Sequence, residues 1–136
     1  MPAVTLEAPG TPVMLDADPV LIRHALFNLI HNATEAAPTG PVVVALARDK
    51  SHGVPGCRLT VTDSGPGLKP DLMEKLFTPF FTTRPGGTGL GLSVAQHIAA
   101  LHGGSIQAEN RPEGGARFTI WLPVQRRIYE GKSSTR

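Results

Sequence analysis

Two stretches of the chain repeat hydrophobic residues at the spacing of an amphipathic helix. In the first, Asp18 and Pro19 precede the repeat, and a Pro-Thr-Gly-Pro run at residues 38–41 follows it. An Asp side chain caps the free N–H groups of a first turn, and Pro is tolerated at the first helical position. The pattern therefore predicts a helix from Pro19 to about Ala37. Its core stripe is formed by Ile22, Leu26, Leu29 and Ala33.

The second helical repeat starts near Leu90 and ends at Gly103 and Gly104. A shorter helix is predicted over residues 69–76, because Pro70 stands at a position where a helix tolerates proline. The predicted stripe of the second long helix is Leu90, Val94, Ile98 and Leu101.

Alternating hydrophobic residues predict the strands. In the last of them, Phe118, Ile120 and Leu122 face one way. Residues 48–56 are polar and are predicted to form an exposed loop that resembles a hairpin connection, without a chemical role. The predicted strands are residues 4–7, 13–15, 42–47, 58–62, 105–109 and 116–122. Six strands with interspersed helices indicate an α/β or α+β domain.

Composition sets the broad class of the protein. The chain has 136 residues, 40% of them hydrophobic, and a single cysteine, Cys57, which we interpret as a buried structural thiol. No stretch is long enough to cross a bilayer and no signal peptide is visible, so we expect a cytoplasmic domain. Residues 124–136 carry a net charge of +3 and leave −1 for residues 1–123. We therefore expect one domain over residues 1–123, a basic, flexible tail, and no nucleic-acid partner.

Two amides stand out on the first helix. Asn28 and Asn32 are one turn apart, on the shoulder of the core stripe, where a side chain can face a cleft. Asn is a mediocre helix former, so the pair suggests a role beyond helix propensity. The alternative is that both are solvated surface amides.

A carboxylate at a strand end is the second candidate. Asp63 ends the strand at residues 58–62 and is followed by Gly65 and Gly67. An ionised Asp only accepts hydrogen bonds, so it could bind an exocyclic amino group while the glycines let a flat ring approach the backbone. A plain Asx turn explains the same residues without a ligand.

The third candidate is the stretch of residues 76–92. Phe77, Phe80 and Phe81 could anchor this loop, and glycines at positions 86, 87, 89 and 91 lead directly into the second helix. Backbone N–H groups at a helix start suit an anion, so we interpret the stretch as a lid over a phosphate. We expect nucleotide to order this lid. The alternative is a flexible Gly/Pro linker.

Other chemistries lack their sequence patterns. The five histidines do not form a metal-ligand spacing with Cys or Glu. No Ser is flanked as in a nucleophile elbow, and the Gly-Thr-Gly-Leu-Gly run at residues 87–91 has no strand immediately before it. A zinc site and a dinucleotide-binding fold are therefore disfavoured.

Taken in order, these motifs resemble the catalytic, ATP-binding domain of bacterial sensor histidine kinases over residues 3–123. The sequence looks closest to the nitrogen-regulation branch, because of residues 78–83 and the Leu122-Pro123 ending. The resemblance implies an α/β (α+β) two-layer sandwich of the Bergerat type, with a mixed, mostly antiparallel sheet packed against helices. It also implies ATP and Mg²⁺ as ligands.

The resemblance also implies roles for individual residues. Asn32 is the expected Mg²⁺ ligand, Asn28 lines the same phosphate side, and Arg84 reaches the terminal phosphate. Asp63 accepts from the adenine amino group, with Gly65 and Gly67 beside the base. The remaining expected nucleotide contacts come from one segment, namely Thr83, Gly87, Thr88, Gly89, Leu90, Gly91 and Leu92.

Two positions depart from the family pattern. Glu35 stands where many relatives have a basic residue, which shifts phosphate neutralisation to Arg84 and Mg²⁺. Ala116 stands where Thr is common. Related ATPases and serine kinases of the same superfamily typically have Glu at the position of Asn28, and an amide cannot act as a base there.

The expected function is transfer of the γ-phosphate of ATP to a histidine on a separate dimerisation domain, upstream of a response regulator. None of the chain's own histidines has the setting of that acceptor, so we expect nucleotide binding without efficient self-phosphorylation. The isolated domain is expected to be a monomer without membrane contact. The alternatives are a non-catalytic nucleotide-sensing module, or an ATPase or serine kinase of the same superfamily.

Overall fold

The computed structural model describes residues 4–79 and 91–125. The chain forms β1 (Val4–Glu7), α1 (Pro19–Ala36), β2 (Val42–Ser51), β3 (Val54–Thr62), a 3₁₀ helix (Pro70–Lys75), α2 (Gly91–Leu101), β4 (Ser105–Asn110) and β5 (Ala116–Pro123). Five strands make one sheet in the order β1-β2-β3-β5-β4. Only β1 and β2 pair in parallel, and the other neighbours are antiparallel. This mixed sheet packed against helices confirms the predicted fold class.

The two long helices lie on one face of the sheet and enclose the core. Helix α1 begins as predicted, because Oδ1 of Asp18 accepts from the backbone N–H groups of Val20 and Leu21 at 2.9 and 3.2 Å. From the last strand, Phe118, Ile120 and Leu122 are buried, as the alternation predicted. Burying this apolar face removes it from water and supplies the main stabilising term for the domain.

The predicted stripe of α2 is only partly right. Ile98 is buried, but Leu101 is 48% exposed, and small residues on the same helix, Ala95 and Ala99, are fully buried instead. Leu90 lies outside the described residues. Small side chains let α2 approach α1 and the sheet closely, which a search for large apolar residues does not detect.

The predicted strand at residues 13–15 is wrong. This segment pairs with no described strand, and Val13 and Leu15 pack against the core from a connecting segment. The Arg48 guanidinium holds the preceding turn through Oγ1 of Thr11 at 2.9 Å and the carbonyl oxygen of Pro12 at 2.7 Å. The apolar alternation therefore reflects burial without strand pairing.

The predicted hairpin connection at residues 48–56 forms, but the predicted extent of its loop is wrong. Strands β2 and β3 continue to Ser51 and from Val54, and His52 and Gly53 alone form the turn, with φ of 51° and 80°. Two positive φ angles match the turn that suits the right-handed twist of a hairpin. The indole N–H of Trp121 donates to the carbonyl oxygen of Asp49 at 2.9 Å and so covers the polar end of the hairpin.

Within the described residues, no helix has the length and hydrophobicity needed to span a membrane. Val124 continues the domain for one residue past β5, because its N–H donates to Pro55 and its carbonyl oxygen accepts from Asp16. The basic tail beyond Gln125 lies outside the described residues, so the boundary at residue 123 stays a prediction.

Candidate nucleotide site

Asp63 lies directly after β3 and is 3% exposed. Its Oδ1 atom accepts two backbone hydrogen bonds, from Gly65 at 2.9 Å and from Ala116 at 3.1 Å. Its own N–H donates to the carbonyl oxygen of Ala116 at 2.9 Å. Oδ2 accepts no hydrogen bond from any described residue. A largely buried carboxylate with one oxygen left over by the described residues is suited to a ligand that brings a donor.

The Asx turn that the sequence left open as an alternative does form, through the Gly65 N–H. This turn uses only Oδ1. The local turn and a ligand-binding role for Oδ2 are therefore compatible.

Gly65 and Gly67 are both required by close packing. A Cβ on Gly65 would lie 3.0 Å from the carbonyl oxygen of Ala36, at the end of α1. Gly67 has a φ of +90°, and a Cβ there would lie 2.8 Å from Oδ1 of Asn110. We call residues 63–68 the base loop. Its backbone is thus held between the end of α1 and the end of β4.

The β4–β5 turn supplies residues that the sequence analysis did not assign to the site. Gly115 has a φ of +84°, and a Cβ there would lie only 2.1 Å from the carbonyl oxygen of Asp63. The turn is closed by the Arg111 N–H, which donates to Gly115 at 2.9 Å. The adjacent glycines at 114 and 115 were the available signal, because paired glycines between two strands mark a turn or a close approach of the backbone.

The same turn carries an exposed acidic group with a shifted pKa. A hydrogen bond to its own backbone, together with the Arg111 guanidinium, lowers the pKa of the Glu113 carboxyl. The Nε of Arg111 is buried and has no hydrogen-bond partner in the part of the chain that the structure describes. Both groups belong to the turn itself.

The paired amides lie along α1 on the side that meets α2. A Cβ on Gly91, the first residue of α2, would lie 3.8 Å from Cβ, Cγ and Oδ1 of Asn28. Asn32 is half-buried, one turn further along α1. Glu35 is exposed, and its Oε2 atom lies 3.5 Å from Nε2 of His31. The structure therefore brings Asn28 next to the start of α2, as a phosphate site would need.

Helix α1 links the two halves of the site. Its last residue, Ala36, contacts Gly65 of the base loop, and Asn28, eight residues earlier, contacts Gly91. At a rise of 1.5 Å per residue these contacts are separated by about 12 Å along the helix. Asn32 lies midway between them. An extended ligand along this side of α1 would meet the base loop at one end and the α2 N-terminus at the other.

Most of the predicted lid lies outside the described residues. This applies to Phe80 and Phe81 and to the predicted nucleotide contacts Thr83, Arg84, Gly87, Thr88, Gly89 and Leu90. At the near end, the ring of Phe77 packs edge-on against Phe118, with centroids 6.4 Å apart, as its predicted anchoring role requires. At the far end, Leu92 is half-buried against the core.

Among the described residues, no group of three or more His, Cys, Asp or Glu side chains could hold a metal ion. A metal at this site would need amide and phosphate oxygens. Mg²⁺ accepts such a set, because it prefers hard oxygen ligands and is commonly held by one or two protein groups plus substrate phosphates. The half-buried amides on α1 fit this chemistry.

Comparison with known proteins gives the family. The profile of the histidine kinase-, DNA gyrase B- and HSP90-like ATPases matches residues 17–126. The sensor histidine kinase ZraS of Escherichia coli O157:H7 is 44% identical over 110 residues, which cover 81% of this chain and 23% of that protein. The chain thus spans about a quarter of the length of such relatives.

Solved structures agree with this result. The nucleotide-free catalytic domain of the histidine kinase ThkA superposes with a TM-score of 0.77 at 35% identity, covering 90% of this chain and 80% of that one. Full-length ShkA in complex with AMPPNP gives a TM-score of 0.76 at 27% identity, over 93% of this chain and 26% of that one. The nitrogen-regulation branch stays a prediction. The chain belongs to the histidine kinase-, DNA gyrase B- and HSP90-like ATPase family, as a domain of the kind found in sensor histidine kinases.

Proposed function

We propose that this chain binds ATP with Mg²⁺ and transfers the γ-phosphate to a histidine on a separate dimerisation domain of the same kinase. The observation that supports this most is the arrangement along α1, with Gly65 against Ala36 at one end and Gly91 against Asn28 at the other. A nucleotide placed along α1 has its base at the loop and its phosphates at the α2 start. The phosphorylated histidine would then supply a response regulator.

At the base end, Asp63 selects the ligand. Its Oδ1 accepts from two backbone N–H groups, which fixes the carboxylate and leaves Oδ2 for a ligand. That oxygen accepts from the adenine amino group, while Gly65 and Gly67 leave the backbone open to a flat ring. A base with a carbonyl oxygen at this position would face the carboxylate without a donor and bind more weakly.

At the phosphate end, the chain supplies positioning and charge compensation. Asn32 offers an amide oxygen to Mg²⁺. Asn28 lies beside Gly91, where N–H groups of the first turn of α2 face the phosphates and the helix dipole favours negative charge. Bound ATP with Mg²⁺ supplies the transferable phosphoryl group and neutralises charge on it.

The amide at Asn28 favours transfer to histidine over hydrolysis. A carboxylate at that position could activate water or a hydroxyl group, whereas an amide has no basic form near neutral pH. A histidine imidazole does not need such a base, because its neutral ring nitrogen carries a free lone pair. Arg84 is proposed to reach the terminal phosphate, and this contact matters more because Glu35 supplies no positive charge.

The deciding experiment mixes this domain with a separately produced acceptor domain and ATP labelled in the γ-phosphate. We expect label on the acceptor that is lost in acid and kept in alkali, as phosphohistidine chemistry requires. Acid-stable label would indicate a serine kinase, and phosphate release without acceptor would indicate an ATPase. Nucleotide binding without either outcome would support a sensing module. We place the active domain in the cytoplasm, where ATP and response regulators meet.

A further inference from the structure

The side chain of Asn110, the last residue of β4, makes a two-point contact with the base loop. Its Oδ1 accepts from the Leu68 N–H at 2.6 Å, and its Nδ2 donates to the Leu68 carbonyl oxygen at 2.8 Å. The residues are 42 positions apart in the chain. One amide side chain thus satisfies both backbone groups of Leu68, as a neighbouring strand would.

The same amide also contacts Gly67. A Cβ on Gly67 would lie 2.8 Å from Oδ1 of Asn110 and 3.5 Å from its Cγ. The backbone of Gly67 therefore lies so close to the Asn110 side chain that no Cβ fits between them. Its φ of +90° is a conformation that glycine adopts without a steric cost.

The other end of the base loop is held by the next strand. The carbonyl oxygen of Ala116 accepts from the Asp63 N–H, and the Ala116 N–H donates to Oδ1 of Asp63. Asn110 and Ala116 face each other in the β4–β5 register. The facing pair Asn110 and Ala116 therefore holds both ends of the base loop.

We propose that Asn110 is a positioning residue for base recognition, acting through Leu68 and Gly67. By fixing the loop it sets the distance between the base plane and the Asp63 carboxylate, and hence the preference for a base with an exocyclic amino group. This inference rests on the proposed function, since it assumes that adenine lies on the base loop.

As far as residues 4–79 and 91–125 are concerned, Asn110 contacts only the base half of the site. The amides at Asn28 and Asn32 and the start of α2 are held by helix packing, in which Asn110 has no part. Its loss should therefore affect recognition of the base and leave the Mg²⁺ dependence of binding unchanged. A general loosening of the domain would weaken all nucleotides alike.

The test compares ADP with IDP, which carries a carbonyl oxygen in place of the adenine amino group. Affinities are measured by calorimetry, or by competition with a fluorescent ATP analogue, for the native chain and for Asn110→Ala. We expect a loss of ADP affinity of about tenfold, the factor that one to two neutral hydrogen bonds supply. IDP affinity should change less, so the preference for ADP over IDP falls.

Glu109→Ala is the matched control. Glu109 precedes Asn110 in β4 and makes an exposed ion pair with Arg117 at 3.0 Å, so its removal should leave the ADP preference unchanged. Asn110→Asp keeps the acceptor for the Leu68 N–H and should lose less ADP affinity than Asn110→Ala. An equal or larger loss would mean that the acceptor atom does not hold the loop.

The outcomes separate this inference from the proposed function. If the native chain does not bind ADP, the proposed function fails. If it binds ADP and Asn110→Ala binds ADP equally well, Asn110 has no positioning role and the proposed function stands. If Asn110→Ala loses ADP and IDP affinity by the same factor, with a lowered melting temperature, Asn110 is only structural and the proposal is overturned.

Discussion

The backbone N–H of Asp18 donates to Nε2 of His102 at 3.0 Å, across 84 residues of sequence. Nδ1 of the same imidazole lies 2.9 Å from the carbonyl oxygen of Ile98 in α2. Because Nε2 is the acceptor, the proton of the neutral ring is assigned to Nδ1, which donates to Ile98. His102 thus joins the C-terminal end of α2 to the N-terminal cap of α1, and these two helices carry the phosphate half of the proposed site.

His102→Ala should therefore destabilise the domain. The side chain is 2% exposed, so its loss leaves a cavity and removes the acceptor for the Asp18 N–H. We expect the free energy of unfolding to fall by about 2–4 kcal/mol, measured by urea denaturation. His97→Ala is the control, because His97 is exposed on the same helix. Equal effects of the two substitutions would contradict a joining role for His102.

Gly115→Ala and Gly114→Ala form a matched pair. Both glycines have positive φ, but a Cβ on Gly114 meets nothing within 4 Å, whereas one on Gly115 would lie 2.1 Å from the Asp63 carbonyl oxygen. Gly114→Ala should cost about 1 kcal/mol of backbone strain. Gly115→Ala should cost about 3 kcal/mol in total, because the backbone of β5 must also move away from Asp63. Thermal denaturation measures both, and similar losses would show that the close contact is not maintained.

The sequence predicts those parts of the fold that depend on neighbours in the chain. Asp18 and Pro19 predict the start of α1, because helix capping is a local interaction. The alternation of hydrophobic residues in β5 predicts which face of the strand is buried. The strand predicted at residues 13–15 does not form, because an alternation of apolar residues indicates burial but does not show whether a neighbouring strand is available for pairing. The hairpin connection is predicted, but its two-residue turn at His52 and Gly53 is missed because His is not a typical turn residue at positive φ.

In the site, too, the features that depend on neighbouring residues are predictable from the sequence, and those that depend on long-range contacts are not. Asp63 and its glycines are visible in the sequence because they are adjacent, and a strand followed by Asp-x-Gly-x-Gly is a local pattern. The contact of Asn110 with Leu68 is not visible, because it depends on the register of β4 with β5 and on where the base loop crosses the sheet end. A single Asn at the end of a strand gives no signal for either.

Asp63→Asn tests the base end of the proposed site. The amide oxygen of Asn can still accept from Gly65 and Ala116, so the loop should keep its shape, but an N–H₂ group replaces the free carboxylate oxygen. ATP affinity should fall by about 1.5–3 kcal/mol, because a donor then faces the adenine amino group. Calorimetry on a folded variant measures this. Asp71→Asn, at an exposed carboxylate in the 3₁₀ helix, is the control, and unchanged affinity in Asp63→Asn would refute the adenine assignment.

Asn32→Ala tests the metal assignment. If Asn32 is the protein ligand of Mg²⁺, the variant should bind nucleotide with little further gain on adding magnesium, whereas the native chain gains affinity. The measurement is nucleotide affinity with magnesium and with a chelator. Thr34→Ala is the control, since its hydroxyl donates to the His31 carbonyl oxygen within α1, on an exposed side of the helix. An equal magnesium effect in native and Asn32→Ala proteins would exclude Asn32 as the ligand.

Cys57 gives the domain a pH dependence on the alkaline side. Burial raises the pKa of its thiol above the ordinary value of 9.0, because the thiolate is poorly solvated in the core. The folded state therefore holds this proton more tightly than the unfolded state. The resulting stability is fully present below the unfolded pKa and is lost as pH rises through the folded pKa. The loss is at most about 1.4 kcal/mol per pH unit.

Cys57→Ala removes this titration while leaving the other alkaline groups unchanged. The difference in unfolding free energy between native and variant proteins, measured by urea denaturation, should shrink as pH rises from about 8 to 10. The native thiol should also react with a disulfide reagent only on the timescale of unfolding, since Cys57 is fully buried. A stability difference that stays constant over this pH range would show that the thiol ionises equally in both states.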